Sequence, residues 1–225
     1  MFGFGNKSAE KTKVGLIFDD GFVRSTLATA ALFEEFGLAA VFAVVAQPGE
    51  WASHLPKGDF GLWNELQQRG HIVQPHGFTH AKLDELPHEE AVDQAERCLA
   101  TFEEKLDGFD PRRAIYMYAY NSSTPRLNDR LLTRVHALRQ GGSGLLLQRE
   151  FDSRRWHSDA FGPDDPGPKV LKLLEKARKK RPLVFLHSLH GVDGEGWGAI
   201  ALPTLRKVLE IITTDDAFEY WPVRA

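Results

Sequence analysis

Apolar, β-rich runs alternate with amphipathic segments along almost the whole chain, and this alternation limits the possible folds more than any other feature of the sequence. "KVGLIF" is followed by the helical pattern "VRSTLATAALFEEFG", "AAVFAVVA" by a helix around "FGLWNELQQRG", and "HIVQPHG" by a helix from about Pro87 to Leu106. The pattern continues with "RAIYMYAY", the helix "LNDRLLTRVHALRQ", the short run "GLLLQR", the helix "PKVLKLLEKARKK", the strand "PLVFLHS" and the helix "LPTLRKVLEIITT". "FEYWPV" adds a last strand, and "GPDDPGP" reads as a loop. Strands separated by helices build parallel βαβ units. About seven strands with no interdomain linker predict a single α/β domain, either a barrel or a doubly wound sheet. A tail over residues 1–13 precedes this domain, which spans 14–225.

A hydrophobic content of 42% in 225 residues permits a sizeable core. With 28 Lys+Arg against 31 Asp+Glu, no broad field points to nucleic acid or to a membrane. The basic run "KARKKR" ends a helix, where cations complement the helix dipole, and reads first as a solvated face, with a nucleotide or a phospholipid head group as the lesser alternative. Cys98 is the lone cysteine, so no internal disulfide forms and the thiol is a packing group. The first residues lack the apolar core of a signal peptide, and no run is long enough to cross a bilayer. The expectation is a soluble, cytoplasmic protein with a small polar or neutral substrate.

In parallel α/β folds the ligand site lies at the carboxyl ends of the strands. Here those ends carry the unusual residues: Asp19 and Asp20 after the first run, His76 and His80 in "QPHGFTH", His187 and His190 in "LVFLHSLHG". Taken singly, Asp-Asp-Gly reads as a turn with a helix cap, and each histidine as a core or loop residue. Taken together and in this order, the aspartates, His76, His80 and His187 read as a metal site, while His190 reads as a residue that hydrogen-bonds within its own loop. Two imidazoles and one carboxylate hold a divalent cation and leave positions for water and substrate, while a second carboxylate serves as general base. The remaining histidines have no such company, and Trp51, Trp63 and Trp156 read as packing residues.

The three motifs together resemble those of the polysaccharide deacetylases of carbohydrate esterase family 4. "FDDG" at 18–21, the His-x-x-x-His of "HGFTH" at 76–80 and "LVFLH" at 183–187 are similar to the family's motifs in order and spacing. The resemblance implies an irregular (β/α) barrel of about seven parallel strands. It assigns Asp19 as general base, Asp20, His76 and His80 as metal ligands, and His187 as the acid that protonates the leaving amine. It implies one divalent metal ion, zinc first, with cobalt, nickel, manganese or iron also acceptable to this donor set.

Two motifs depart from the family pattern. No Arg-x-Pro-Tyr occurs near "YMYAYNSSTPR", so the oxyanion donor expected there falls to the backbone of Tyr120 or Ser122. The family's Asp- and Trp-containing motif is matched to "FDSRRW", making Asp152 or Arg155 the residue that orients the catalytic pair. Trp197, in the glycine-rich "GEGWGA", is a candidate platform for a sugar face. The expected reaction is hydrolysis of an N-acetyl amide on an amino sugar in a polysaccharide, a lipid-linked glycan or a sugar precursor. The alternatives are hydrolysis of a non-sugar amide by an allantoinase-like relative and a non-catalytic carbohydrate-binding role.

Overall fold

The computed structural model describes residues 11–225 other than Ala52. Most of the N-terminal tail expected over 1–13 therefore lies outside the described residues.

The first strand, β1 (Thr12–Asp20), is buried on both faces from Val14 onward, as a strand covered on one side by helices and on the other by barrel interior must be. It is followed by α1 (Val23–Glu35), β2 (Val41–Val44), α2 (Phe60–Gln68), β3 (Ile72–Pro75), α3 (His88–Lys105) and β4 (Ile115–Met117). The second half contains α4 (Pro125–Leu131), β5 (Ala137–Gly141), β6 (Leu145–Leu146), α5 (Gln148–Asp152), β7 (Arg155–Ala160), α6 (Gly167–Lys180), β8 (Val184–Leu189), α7 (Leu202–Thr214) and β9 (Phe218–Tyr220).

Seven strands run parallel in the order β3-β2-β1-β8-β7-β5-β4. The barrel is nearly closed. No ladder joins β3 to β4 among the described residues; side chains span the gap instead. Gln74 Oε1 accepts the Ile115 N–H at 2.9 Å, and His76 Nδ1 lies 2.9 Å from the Met117 carbonyl. These bonds satisfy backbone groups that an open sheet edge would leave unpaired.

Two apolar layers follow from the two-residue repeat of the strands. Ile17, Val41, Ala43, Met117, Ala137 and Leu186 fill the barrel interior. Leu16, Phe18, Phe42 and Phe185 face outward and pack under helical residues such as Phe33, Leu99, Phe102 and Leu205. On α3, Ala91, Ala95, Cys98, Leu99 and Phe102 supply the buried stripe at helical spacing, so Cys98 is the packing group expected.

Three local expectations are corrected. The segment read as one helix over 127–140 is a short helix, α4, followed by β5. The ladders that β5 makes with both β4 and β7 outweigh its helical pattern. "GLLLQR" contributes only the two-residue β6, antiparallel to β8 and outside the parallel set. The seventh barrel strand is β7, and "FEYWPV" supplies β9, parallel to the start of β1.

Candidate active site

Adjacent residues on a strand point to opposite faces, so Asp19 and Asp20 should not share a site. Asp19 keeps the inward parity of Ile17. Asp20 is turned toward the same end of the barrel by a left-handed backbone with φ of +81°, and Gly21 follows at +79°. A non-glycine residue at such an angle costs about 1–3 kcal/mol and persists only where its surroundings enforce it. His80 (+61°), Tyr120 (+53°) and Asn121 (+56°) share this conformation, so four strained residues collect around one cavity.

That cavity, of about 710 Å³, opens at the carboxyl ends of the strands. Asp20, His76 and His80 each present a ligand atom within 4.8 Å of the others, and all three residues are buried. Asp20 Oδ1 lies 3.2 Å from His80 Nε2 and 3.5 Å from His76 Nε2, yet no hydrogen bond satisfies it. The contact of His76 Nδ1 with the Met117 carbonyl fixes that ring's tautomer and leaves Nε2 as a lone-pair donor. Burial raises the Asp20 carboxyl, but the two imidazoles beside it outweigh burial and hold it well below the usual carboxylate range. Burial lowers the His80 imidazole below its ordinary value, more strongly than Asp20 raises it. An ionised carboxylate, two imidazole nitrogens facing it and an orphaned buried oxygen among them fit a divalent cation.

Asp19 is held from across the barrel. Arg139 Nη2 donates to both carboxylate oxygens at 2.7 Å, while Nη1 donates to Asn121 Oδ1 at 2.7 Å. Both charges are buried, with the Arg139 side chain 1% exposed. Arg139 was not singled out in the sequence, because within a presumed helix it reads as a surface cation. On β5 it shares the inward row of Met117 and Trp156.

His187 is not in the cavity. It follows Phe185 by two residues and faces the same outer layer, where it is fully buried against Phe161 and Phe185 at ring distances of 5.4 and 6.1 Å. Burial pushes its imidazole down to about 3, so it carries no proton to donate near neutrality. His190, just beyond the end of β8, lines the cavity and packs edge-on against Trp197 at 4.9 Å. Burial lowers this imidazole too, with Asp19 and Asp20 pulling it partly back.

Tyr120 lines the cavity, 4.5 Å from the His80 ring, and is 52% exposed. Ser122 does not line it; its backbone N–H is engaged by the Ala119 carbonyl and its hydroxyl by Asp84, which leaves no donor for an oxyanion. Asp152 accepts from Gln148, and Arg155 pairs with Asp129 on the barrel's flank, so neither orients the site. The carboxylate lining the cavity from this region is Asp159 on β7, which accepts the Gly144 N–H at 3.0 Å.

Trp197 lines the cavity as expected, 46% exposed. Its ring covers Gly162 so closely that a Cβ there would lie 2.3 Å from it. Trp51, expected to be a packing residue, instead lines the cavity and stacks on His80 at 3.8 Å with 25° between the rings.

Solved structures share the fold that carries this site. The structure resembles the family 4 carbohydrate esterase from Streptomyces lividans in complex with acetate, with a TM-score of 0.59, 15% identity and coverage of 90% of this chain and 88% of that one. It also resembles the Bc1960 peptidoglycan N-acetylglucosamine deacetylase (0.62, 15%, 95% and 88%) and the peptidoglycan deacetylase PdaC from Bacillus subtilis (0.58, 14%, 90% and 85%). At such identities the likeness speaks for the fold. No curated protein matches in sequence. The sequence profile of polysaccharide deacetylases, however, matches residues 6–136, more than half of the chain and the part that holds Asp19, Asp20, His76 and His80, so the chain belongs to the polysaccharide deacetylase family.

Proposed function

We propose that this protein is a metal-dependent hydrolase that removes the acetyl group from an N-acetylated amino sugar, carried on a polysaccharide, a lipid-linked glycan or a sugar precursor. One observation carries the reading: the cation-compatible cluster Asp20, His76 and His80 shares a single cavity with an arginine-held carboxylate, Asp19.

Asp20, His76 and His80 would hold the ion, with zinc the first candidate. When bound, such an ion supplies Lewis acidity toward a carbonyl and acidifies water. Asp19 is the general base, oriented by Arg139 while it takes a proton from the attacking water. The acetamide C–N bond then breaks, the water oxygen leaves in acetate, and the proton that Asp19 took from water is handed on to the departing nitrogen through the His190 imidazole. Tyr120 stands at the rim as the remaining candidate for orienting the acetyl carbonyl, and the rings of Trp51 and Trp197 form walls suited to a sugar face.

The test is acetate release from a panel of N-acetylhexosamine compounds, including oligomers and nucleotide-linked sugars, with and without a chelator. Ureide amides serve as the competing panel. Chelator-sensitive acetate release supports the reading; turnover of ureides alone, or of no sugar, rejects it.

A further inference from the structure

On the outer face of α6, Lys169, Lys172, Lys176, Lys179 and Lys180 border one groove of about 550 Å³. The spacing places them along one side of the helix over about 16 Å, at 1.5 Å per residue. The groove's floor is apolar, made by Phe161 and Leu173, and the Lys169 ammonium lies 5.2 Å above the Phe161 ring.

The charge on this face departs from the rest of the molecule. Elsewhere many basic side chains on or beside the helices are matched by carboxylates: Arg69 with Glu34, Arg97 with Asp93, Arg130 and Arg134 with Glu96, Arg206 with Glu35. The cations of the other α-helices in no ion pair among the described residues, Arg24, Lys105, Arg149 and Lys207, are scattered over four helices. Even on α6, Arg178, on another side of the helix, pairs with Asp215. Among the described residues none of the five groove lysines is in an ion pair, and Glu175 is the only carboxylate on the groove, in a chain whose net charge is −3. A solvated face needs no such segregation.

We infer that this lysine face of α6 docks on an anionic phospholipid surface. Lysines with apolar stems over an apolar floor suit a headgroup layer, where the ammonium groups reach the phosphates and the stems stay in contact with hydrocarbon. Compact point charges, rather than the planar forks of arginine, match a diffuse field better than one fixed phosphate. The surface is separate from the cavity and stands whether or not the cavity deacetylates sugars.

The test is co-sedimentation of the full-length protein with phosphatidylcholine vesicles and with the same vesicles containing phosphatidylglycerol. The wild type should partition to the anionic vesicles and be released as sodium chloride shortens the range of the field. Lys172→Gln combined with Lys176→Gln should lower partitioning roughly thirtyfold, with an unchanged melting temperature as the folding control. Lys105→Gln combined with Arg112→Gln, exposed cations elsewhere, should leave it unaltered. No preference for anionic vesicles, or equal loss in both double variants, overturns the assignment. So does release by inorganic phosphate at an ionic strength where sodium chloride leaves the protein bound, since that identifies a discrete phosphate pocket.

Discussion

Arg139 on β5 reaches across the barrel to Asp19 on β1 and places one guanidinium nitrogen 2.7 Å from both carboxylate oxygens. The ion pair is buried, so each charge depends on the other for its place in the interior. Removing one partner of such a pair costs about 3–5 kcal/mol, because the survivor is left uncompensated. Arg139→Met should therefore destabilise the protein by about that amount in urea unfolding. Adding Asp19→Asn should restore part of the loss. A double variant as unstable as the sum of the two single ones would show that the residues do not act as a pair.

The two histidines of "HSLHG" should separate cleanly. His190→Ala should lower the rate of acetate release by roughly 10²–10⁴, the usual worth of a positioned proton donor. His187→Leu, which replaces an unpartnered ring in an aromatic layer, should leave that rate within a few-fold. The reverse pattern would return the acid to His187.

Which histidine faces the cavity was not legible in the sequence. Residues three apart on a strand point to opposite faces, so one of the pair must turn away, but the sequence does not say where β8 stops and the site begins. The acidic pair was legible because Asp-Asp-Gly interrupts an apolar strand. Its resolution into an inward Asp19 and a twisted Asp20 required the backbone angle. Arg139 was hidden because "LLTRVHALRQ" carries a helical pattern, and only the pairing of β5 between two strands reveals its inward parity. Trp51 was hidden for a different reason: it sits in the connection between β2 and α2, whose course over His80 no local pattern specifies.

His187 also makes the protein acid-sensitive. Its imidazole stands at about 3 in the fold against an ordinary 6.5, so below pH 6.5 the unfolded chain takes a proton that the folded chain refuses. Stability from this group is complete above pH 6.5 and falls by about 1.4 kcal/mol for each pH unit until pH nears 3. The difference in unfolding free energy between wild type and His187→Leu, measured across that window, should follow this slope. A pH-independent difference would contradict it.

Trp51 stacks on His80 and so orients one of the three cluster residues. Trp51→Ala should weaken zinc binding about tenfold, as loss of a partner that supports a ligand does, in competition against a chromophoric chelator. Unchanged affinity would reduce Trp51 to a wall of the cavity.

In the proposed reaction one aspartate of the pair works as base while the other belongs to the cation cluster. The most direct measurement is acetate release by zinc-loaded wild type and Asp19→Asn at matched zinc content. Asp19→Asn should bind zinc like the wild type and lose acetate release. Full activity in Asp19→Asn, or loss of its zinc, would contradict the division of labour between Asp19 and Asp20.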